Sequence, residues 1–181
     1  MRKIFIAALV LSLAACGFHL RGHNANINSF PFSNLYLKSN SASPFISDLR
    51  NSLELYKIKL TETAAEADLT LEIVSEASNK QIIALSGSAQ VREFQLSYVV
   101  SLRAYDKQKQ DWMPADEISL HRNMTYDDAQ ILAKEQEEAL NTRDMRSDAV
   151  QQVMRRLSRA KLRVKPEDKS VPVNTPAAVK K

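Results

Sequence analysis

Apolar side chains occupy every second position from Phe94 through Leu96, Tyr98, Val100 and Leu102 to Ala104, with Gln95, Ser97, Val99, Ser101, Arg103 and Tyr105 between them. Six consecutive matches to a period of two describe a strand with one buried face. Leu69, Leu71 and Ile73 alternate with Thr70, Glu72 and Val74 in the same way, and Ile82 to Leu85 prolongs the extended pattern up to the turn signal Ser86-Gly87-Ser88. After a polar turn from Asp106 to Asp111, a third long strand places Ile118, Leu120, Met124 and Tyr126 opposite Ser119, His121, Asn123 and Thr125. A shorter strand is expected at Leu35-Tyr36-Leu37.

Two stretches carry helical spacing instead. Pro44 follows Ser43 as a first helical residue follows its N-cap, and Phe45, Ile46, Leu49, Leu53 and Tyr56 then share one face up to about Lys57. Ile58 and Leu60 lead on into an extended segment. From Ala129 to Ala160 the chain has helix-favouring composition without Pro or Gly, and Asp127 and Asp128 are placed to cap it. Met145, Ala149, Val153, Leu157 and Ala160 make its second half the more amphipathic, and Asn141-Thr142 is the expected point of a weak break. The fold class predicted is α+β: a four-stranded mixed, largely antiparallel sheet with two helices packed on one face. Its other face carries Ser, Thr, Gln, Asn and Arg, suited to water or to a polar wall supplied by another protein.

The ends of the chain follow different patterns. Arg2 and Lys3 precede an almost unbroken apolar run from Ile4 to Leu13, closed by Leu13-Ala14-Ala15-Cys16. That run is too short for a bilayer, which needs about 20 residues, and fits the h-region of a secretory signal. Small residues before a cysteine are what a lipoprotein signal peptidase and acylation pathway require. We therefore expect residues 1–15 to be removed and Cys16 to carry N-acyl and S-diacylglycerol groups, with no other cofactor. Residues 16–33 read as a lipidated tether, 34–163 as one α+β domain, and 164–181, with Pro166, Pro172 and Pro176, as a disordered tail.

Charge changes the picture once it is apportioned. The formal net charge of +4 belongs to the ends of the chain. From Cys16 to Ala160 there are 17 basic and 19 acidic side chains, a balance that argues against nucleic acid as a partner. Cys16 is the only cysteine, so neither a disulfide nor cysteine catalysis is available to the acylated protein.

Candidate chemistry is sparse. Only three glycines are present, Gly17, Gly22 and Gly87, and none makes a phosphate-cradling spacing. His19 and His23 stand four apart in the tether without a nearby carboxylate or thiol, which argues against a metal. His121 reads as a satisfied strand histidine, no serine lies in a nucleophile elbow, and Asp127-Asp128 reads as a cap in preference to an acid–base pair. No enzyme is expected. Arg155, Arg156, Arg159, Lys161 and Arg163 crowd the end of the last helix, as a solvated C-terminal turn or, alternatively, an anion site.

The segment Cys16-Gly17-Phe18-His19-Leu20-Arg21-Gly22 resembles the start of the LptE family of lipopolysaccharide-assembly lipoproteins. Glu93-Phe94-Gln95 in the long alternating strand, Ala133-Lys134-Glu135 after the last strand, and the closing helix are similar to that family in the same order. The resemblance implies two helices on one side of a four-stranded sheet. It also implies an outer-membrane lipoprotein that plugs a large β-barrel, LptD, as a 1:1 heterodimer, assists its assembly, and helps pass lipopolysaccharide to the outer leaflet. Gly17 agrees with that address, since Asp after the lipidated cysteine is the usual inner-membrane retention signal. Lys134 matches a family position implicated in lipopolysaccharide binding. Ser86-Gly87-Ser88 stands where the family can carry an arginine at the hairpin tip, and nearby Arg92 is a candidate substitute. The rival readings are an outer-membrane scaffold that contacts peptidoglycan or another envelope machine, and a lipid-anchored periplasmic hydrolase.

Overall fold

The computed structural model describes residues 30–161. Cys16, the rest of the N-terminal heptapeptide, His19, His23, Arg163 and the tail lie outside them. The chain runs β1 (Asn34–Ser39), α1 (Pro44–Leu55), β2 (Lys59–Leu60), β3 (Leu69–Leu85), β4 (Val91–Tyr105), β5 (Asp111–Thr125) and α2 (Ile131–Ser158), with a short 3-10 turn at Asp128–Gln130 before α2. The sheet has five strands in the order β2-β1-β3-β4-β5. β1 is parallel to both β2 and β3, and the β3–β4 and β4–β5 pairs are antiparallel.

Local sequence explains how each element starts and stops. Ser43 Oγ accepts from the Ile46 amide at 3.2 Å with Pro44 as the first helical residue, so α1 begins where the sequence places it. It ends at Leu55, and Lys57 adopts a left-handed φ of 61° that turns the chain toward β2. The fifth strand corrects the expected four. Lys59 and Leu60 pair with Asn34 and Leu35, and two residues are too few to show a period. The expected break at Asn141-Thr142 is also absent, since α2 runs unbroken from Ile131 to Ser158 and no Pro or Gly interrupts its hydrogen bonds.

Both helices cover one sheet face. Phe45, Leu49 and Leu53 of α1, and Met145, Ala149, Val153 and Leu157 of α2, bury against Leu35, Leu69, Leu71, Val100, Leu102 and Ile118 of the sheet. Phe32, within the expected tether, is also buried in this core.

Bulges in the long strands change which residues face the helices. Ile73 pairs with Leu102 and Ser75 with Ser101, so Val74 is an extra residue in β3. Beyond it the even-numbered Glu76, Ser78, Lys80 and Ile82 pair with Val100, Tyr98, Leu96 and Phe94 on the helix-covered side. Glu76 accepts from Ser43 Oγ and from the Tyr98 hydroxyl, both at 2.5 Å, tying the start of α1 to two strands. Burial first, and then the Glu76 carboxylate, push the Tyr98 hydroxyl well above its usual pKa. Further register shifts lie at Ile83 of β3 and Arg92 of β4 near the hairpin, and in the outermost strand β5, where the two residues between Met113 and Asp116, Pro114 among them, face the single residue between Ala104 and Leu102 of β4.

Candidate functional site

Arg92 and Lys134, adjacent to no common feature in sequence, meet at one corner of the molecule. The Arg92 carbonyl accepts from the Tyr126 amide at 2.8 Å, and Lys134 Nζ donates to Thr125 Oγ1 at 3.2 Å. Tyr126 packs edge-on against Phe94, with ring centroids 5.1 Å apart. Lys80 Nζ lies 4.2 Å from the centre of the Phe94 ring and 2.5 Å from Glu138 of α2. Lys80 thus lies over the Phe94 ring, with Lys134 bonded to Thr125 and the Arg92 backbone bonded to Tyr126 beside it.

These cations are not equally available. Lys134 has only 15% of its side chain exposed and is paired with Glu137 at 2.9 Å. Its place in the first turn of α2 sets it against the positive end of the helix dipole, which Glu137 offsets. Lys80 is held by Glu138. Arg92 is exposed and makes no salt bridge among the described residues. Exposed Ile82, Leu85, Ile131 and Leu132 lie on the neighbouring strand ends and the first turn of α2. Cations set on apolar ground suit a ligand that is anionic at one end and hydrophobic at the other.

The hairpin tip contributes no charge of its own. Ser86 Oγ lies 2.9 Å from Ser88 Oγ and accepts from the Gln90 amide at 3.1 Å, so the tip hydroxyls are bonded to each other and to the turn backbone. Asp127 accepts from the Ala129 amide at 3.0 Å and so caps the short 3-10 turn, not α2 as expected: α2 starts after Gln130, which makes no side-chain capping bond. His121 is exposed, with Ser119 Oγ 3.1 Å from its Nε2.

The uncovered sheet face is largely polar in its outer half. Gln81 donates to Gln95 at 2.8 Å and Gln95 to Asn123 at 3.3 Å, an amide ladder across β3, β4 and β5. Beside it run the rows Asn79–Ser97–His121 and Ala77–Val99–Ser119. Nearer β1, Glu72 lies between Lys38 at 2.7 Å and Arg103 at 2.6 Å. Those bonds, Lys38 first, hold the Glu72 carboxyl below its usual pKa against the opposing effect of burial. Sequence spacing missed Lys80 and the ladder's β3 member, because the Val74 bulge inverts the alternation before reaching them.

The family model for lipopolysaccharide-assembly LptE matches residues 27–157. The LPS-assembly lipoprotein LptE of Pectobacterium atrosepticum is 26% identical over 163 residues, covering 85% of this chain and 83% of that protein. Among solved structures, an uncharacterized lipoprotein B from Nitrosomonas europaea is 35% identical with a TM-score of 0.67, covering 78% of this chain and 90% of that one. The rare lipoprotein B of Shewanella oneidensis shares the fold, at 22% identity and a TM-score of 0.60 over 67% of this chain and 91% of its own. With matched residues that span all five strands and nearly all of α2, the chain belongs to the LptE family, and its role lies in lipopolysaccharide assembly.

Proposed function

We propose that this chain is an outer-membrane lipoprotein, acylated at Cys16, that seats in and helps assemble a large β-barrel of the LptD type as a 1:1 heterodimer. In this reading the corner formed by Arg92 and Lys134 contacts lipopolysaccharide on its way to the outer leaflet. Family membership supports the process, and the uncovered sheet face is the observation that carries the plug role. A barrel wide enough for lipopolysaccharide also leaks unless filled, and its lumen is polar. The ladder Gln81–Gln95–Asn123 and its neighbouring Ser, Asn and His rows offer hydrogen bonds to such a wall or to its water without requiring an apolar cover. The lipid keeps the plug in the membrane where the barrel assembles and raises its effective concentration there.

Extraction in mild detergent tests this directly. The protein is expected to co-purify with a barrel of far larger mass, and its depletion is expected to block appearance of lipopolysaccharide at the cell surface. Recovery as a monomer in every detergent, with a normally assembled surface in depleted cells, overturns the reading.

A further inference from the structure

The domain begins at a groove. The Phe30 ring centroid lies 5.7 Å from those of Phe32 and Tyr56, and these rings, with Leu55 and Ile58, line an open groove of about 610 Å³ against the end of α1. Phe32 and Ile58 are buried in the core, so the floor is continuous with packed structure. The rim is unfinished: Leu55 is 81% exposed, and Phe30 and Tyr56 are only half-buried. The adjoining last turn of α1 holds no basic residue, although a helix C-terminus attracts cations. Glu54 in that turn is exposed and makes no salt bridge among the described residues, and Lys57 is the one cation lining the groove.

Chain continuity and charge single out one occupant. Residues 17–29 join the domain at Phe30 itself, and their large apolar residues are Phe18, Leu20 and Ile27. Phe18 and Leu20 share one side of an extended segment, and Arg21 follows with the charge that the end of α1 lacks. The nine residues from Arg21 to Ser29 suffice to reverse the chain, and Gly22, Asn24, Asn26 and Asn28 among them favour turns. A segment tethered this closely has an effective concentration of about millimolar order, which favours it over a separate partner. We infer that Phe18-His19-Leu20 folds back into this groove, with Phe18 and Leu20 against Phe30, Tyr56 and Leu55, and Arg21 beside Glu54. Where Cys16 carries lipid, a point that rests on the function proposed above, this docking sets the distance between membrane and domain. The fourteen residues from Cys16 to Phe30 could otherwise span up to about 50 Å. With Phe18 seated, two residues, or about 7 Å, separate the anchor from the domain.

Cys16 is the chain's only cysteine, so a nitroxide placed on it reports where the segment lies without any substitution. The chain from Cys16 to Lys181, ¹⁵N-labelled and made without acyl groups, tests the docking apart from lipid and barrel. The nitroxide is expected to broaden the amide signals of Leu55 to Ile58. Phe18→Ser with Leu20→Ser should weaken docking by at least about tenfold and restore those signals, with the rest of the spectrum unchanged. Leu55→Asp should restore them from the groove side. Equal broadening in the wild type and both variants, or none in any, overturns the fold-back. Broadening that passes from a nitroxide-bearing chain to a ¹⁵N-labelled Cys16→Ser chain assigns the groove to a second copy and overturns it too. So does broadening by a doxyl lipid in dodecyl maltoside micelles that is as strong in the wild type as in the variants, which assigns the groove to a lipid surface. A chain that docks this segment but brings down no barrel separates failure of the proposed function from failure of the fold-back.

Discussion

Lys134 and Arg92 occupy the same corner and present their charges differently. Lys134 must release Glu137 before it can bind an external anion, whereas Arg92 projects into solvent without a competing carboxylate in the described residues. Arg92→Glu is therefore expected to weaken lipopolysaccharide binding with no shift in the melting temperature. Lys134→Glu should weaken binding and also destabilise the fold by about 1 kcal/mol, because it loses the Thr125 bond and sets like charges together. Competition against fluorescent lipopolysaccharide and a thermal melt on each variant check both outcomes, and unchanged binding in both leaves the corner without a ligand role. Asp68 makes a separate prediction. Its carboxylate accepts from the amides of Asn34 at 2.9 Å and Ser33 at 3.1 Å, and those bonds, Asn34 first, depress its pKa below 3.8. A depressed carboxyl pKa stabilises the fold above the unfolded value and loses that contribution as pH falls through the folded one. The wild type should thus lose stability relative to Asp68→Asn as pH drops below 3.8, measured by urea melts from pH 5 to 2.

At the scale of elements, α2 is one helix with two kinds of attachment. Every buried residue in it lies from Met145 onward. Its first half is fixed to strands β3 and β5 by polar contacts, Lys80–Glu138 and Lys134–Thr125. Amide exchange in the folded protein should accordingly be fastest in residues 134–143 and slowest in 149–157, and Lys80→Ala should speed the first set by several-fold while sparing the second. Uniform protection along the helix contradicts this division. The same contrast explains what could be read in advance. Met145, Ala149, Val153 and Leu157 recur at helical spacing because a packed core imposes it, and Ser43-Pro44 is a local start signal; both were legible. A bulge such as Val74 is set by the register of a partner strand, so the helix-facing positions of Glu76 and Lys80 left no mark in the alternation. Arg92 and Lys134 were reachable through resemblance, not spacing, since their meeting depends on how β4, β5 and α2 are brought together.

Over the whole molecule, exposed apolar side chains are unevenly placed. Ile82, Ile83, Leu85, Ile131 and Leu132 lie toward the hairpin end, Leu140 is on the outer side of α2, and Leu55 lies at the opposite end. Leu132 is 77% exposed and Leu140 60%, on turns of α2 whose polar residues, Lys134 and Glu138, bond to the sheet. The isolated chain is therefore expected to self-associate, and Leu132→Gln with Leu140→Gln to weaken that association by about tenfold in sedimentation experiments. Partner-free protein that stays monomeric at high concentration removes this expectation.

The outermost strand has a further consequence for a protein proposed to attend the folding of a β-barrel. An unguarded edge offers a row of free amides and carbonyls to any neighbouring strand. In β5 that row is interrupted by Pro114, which has no amide hydrogen, by the local bulge, and by the charges of Asp111, Asp116 and Glu117. A companion of nascent strands built this way can stand among them without being stitched into their sheet.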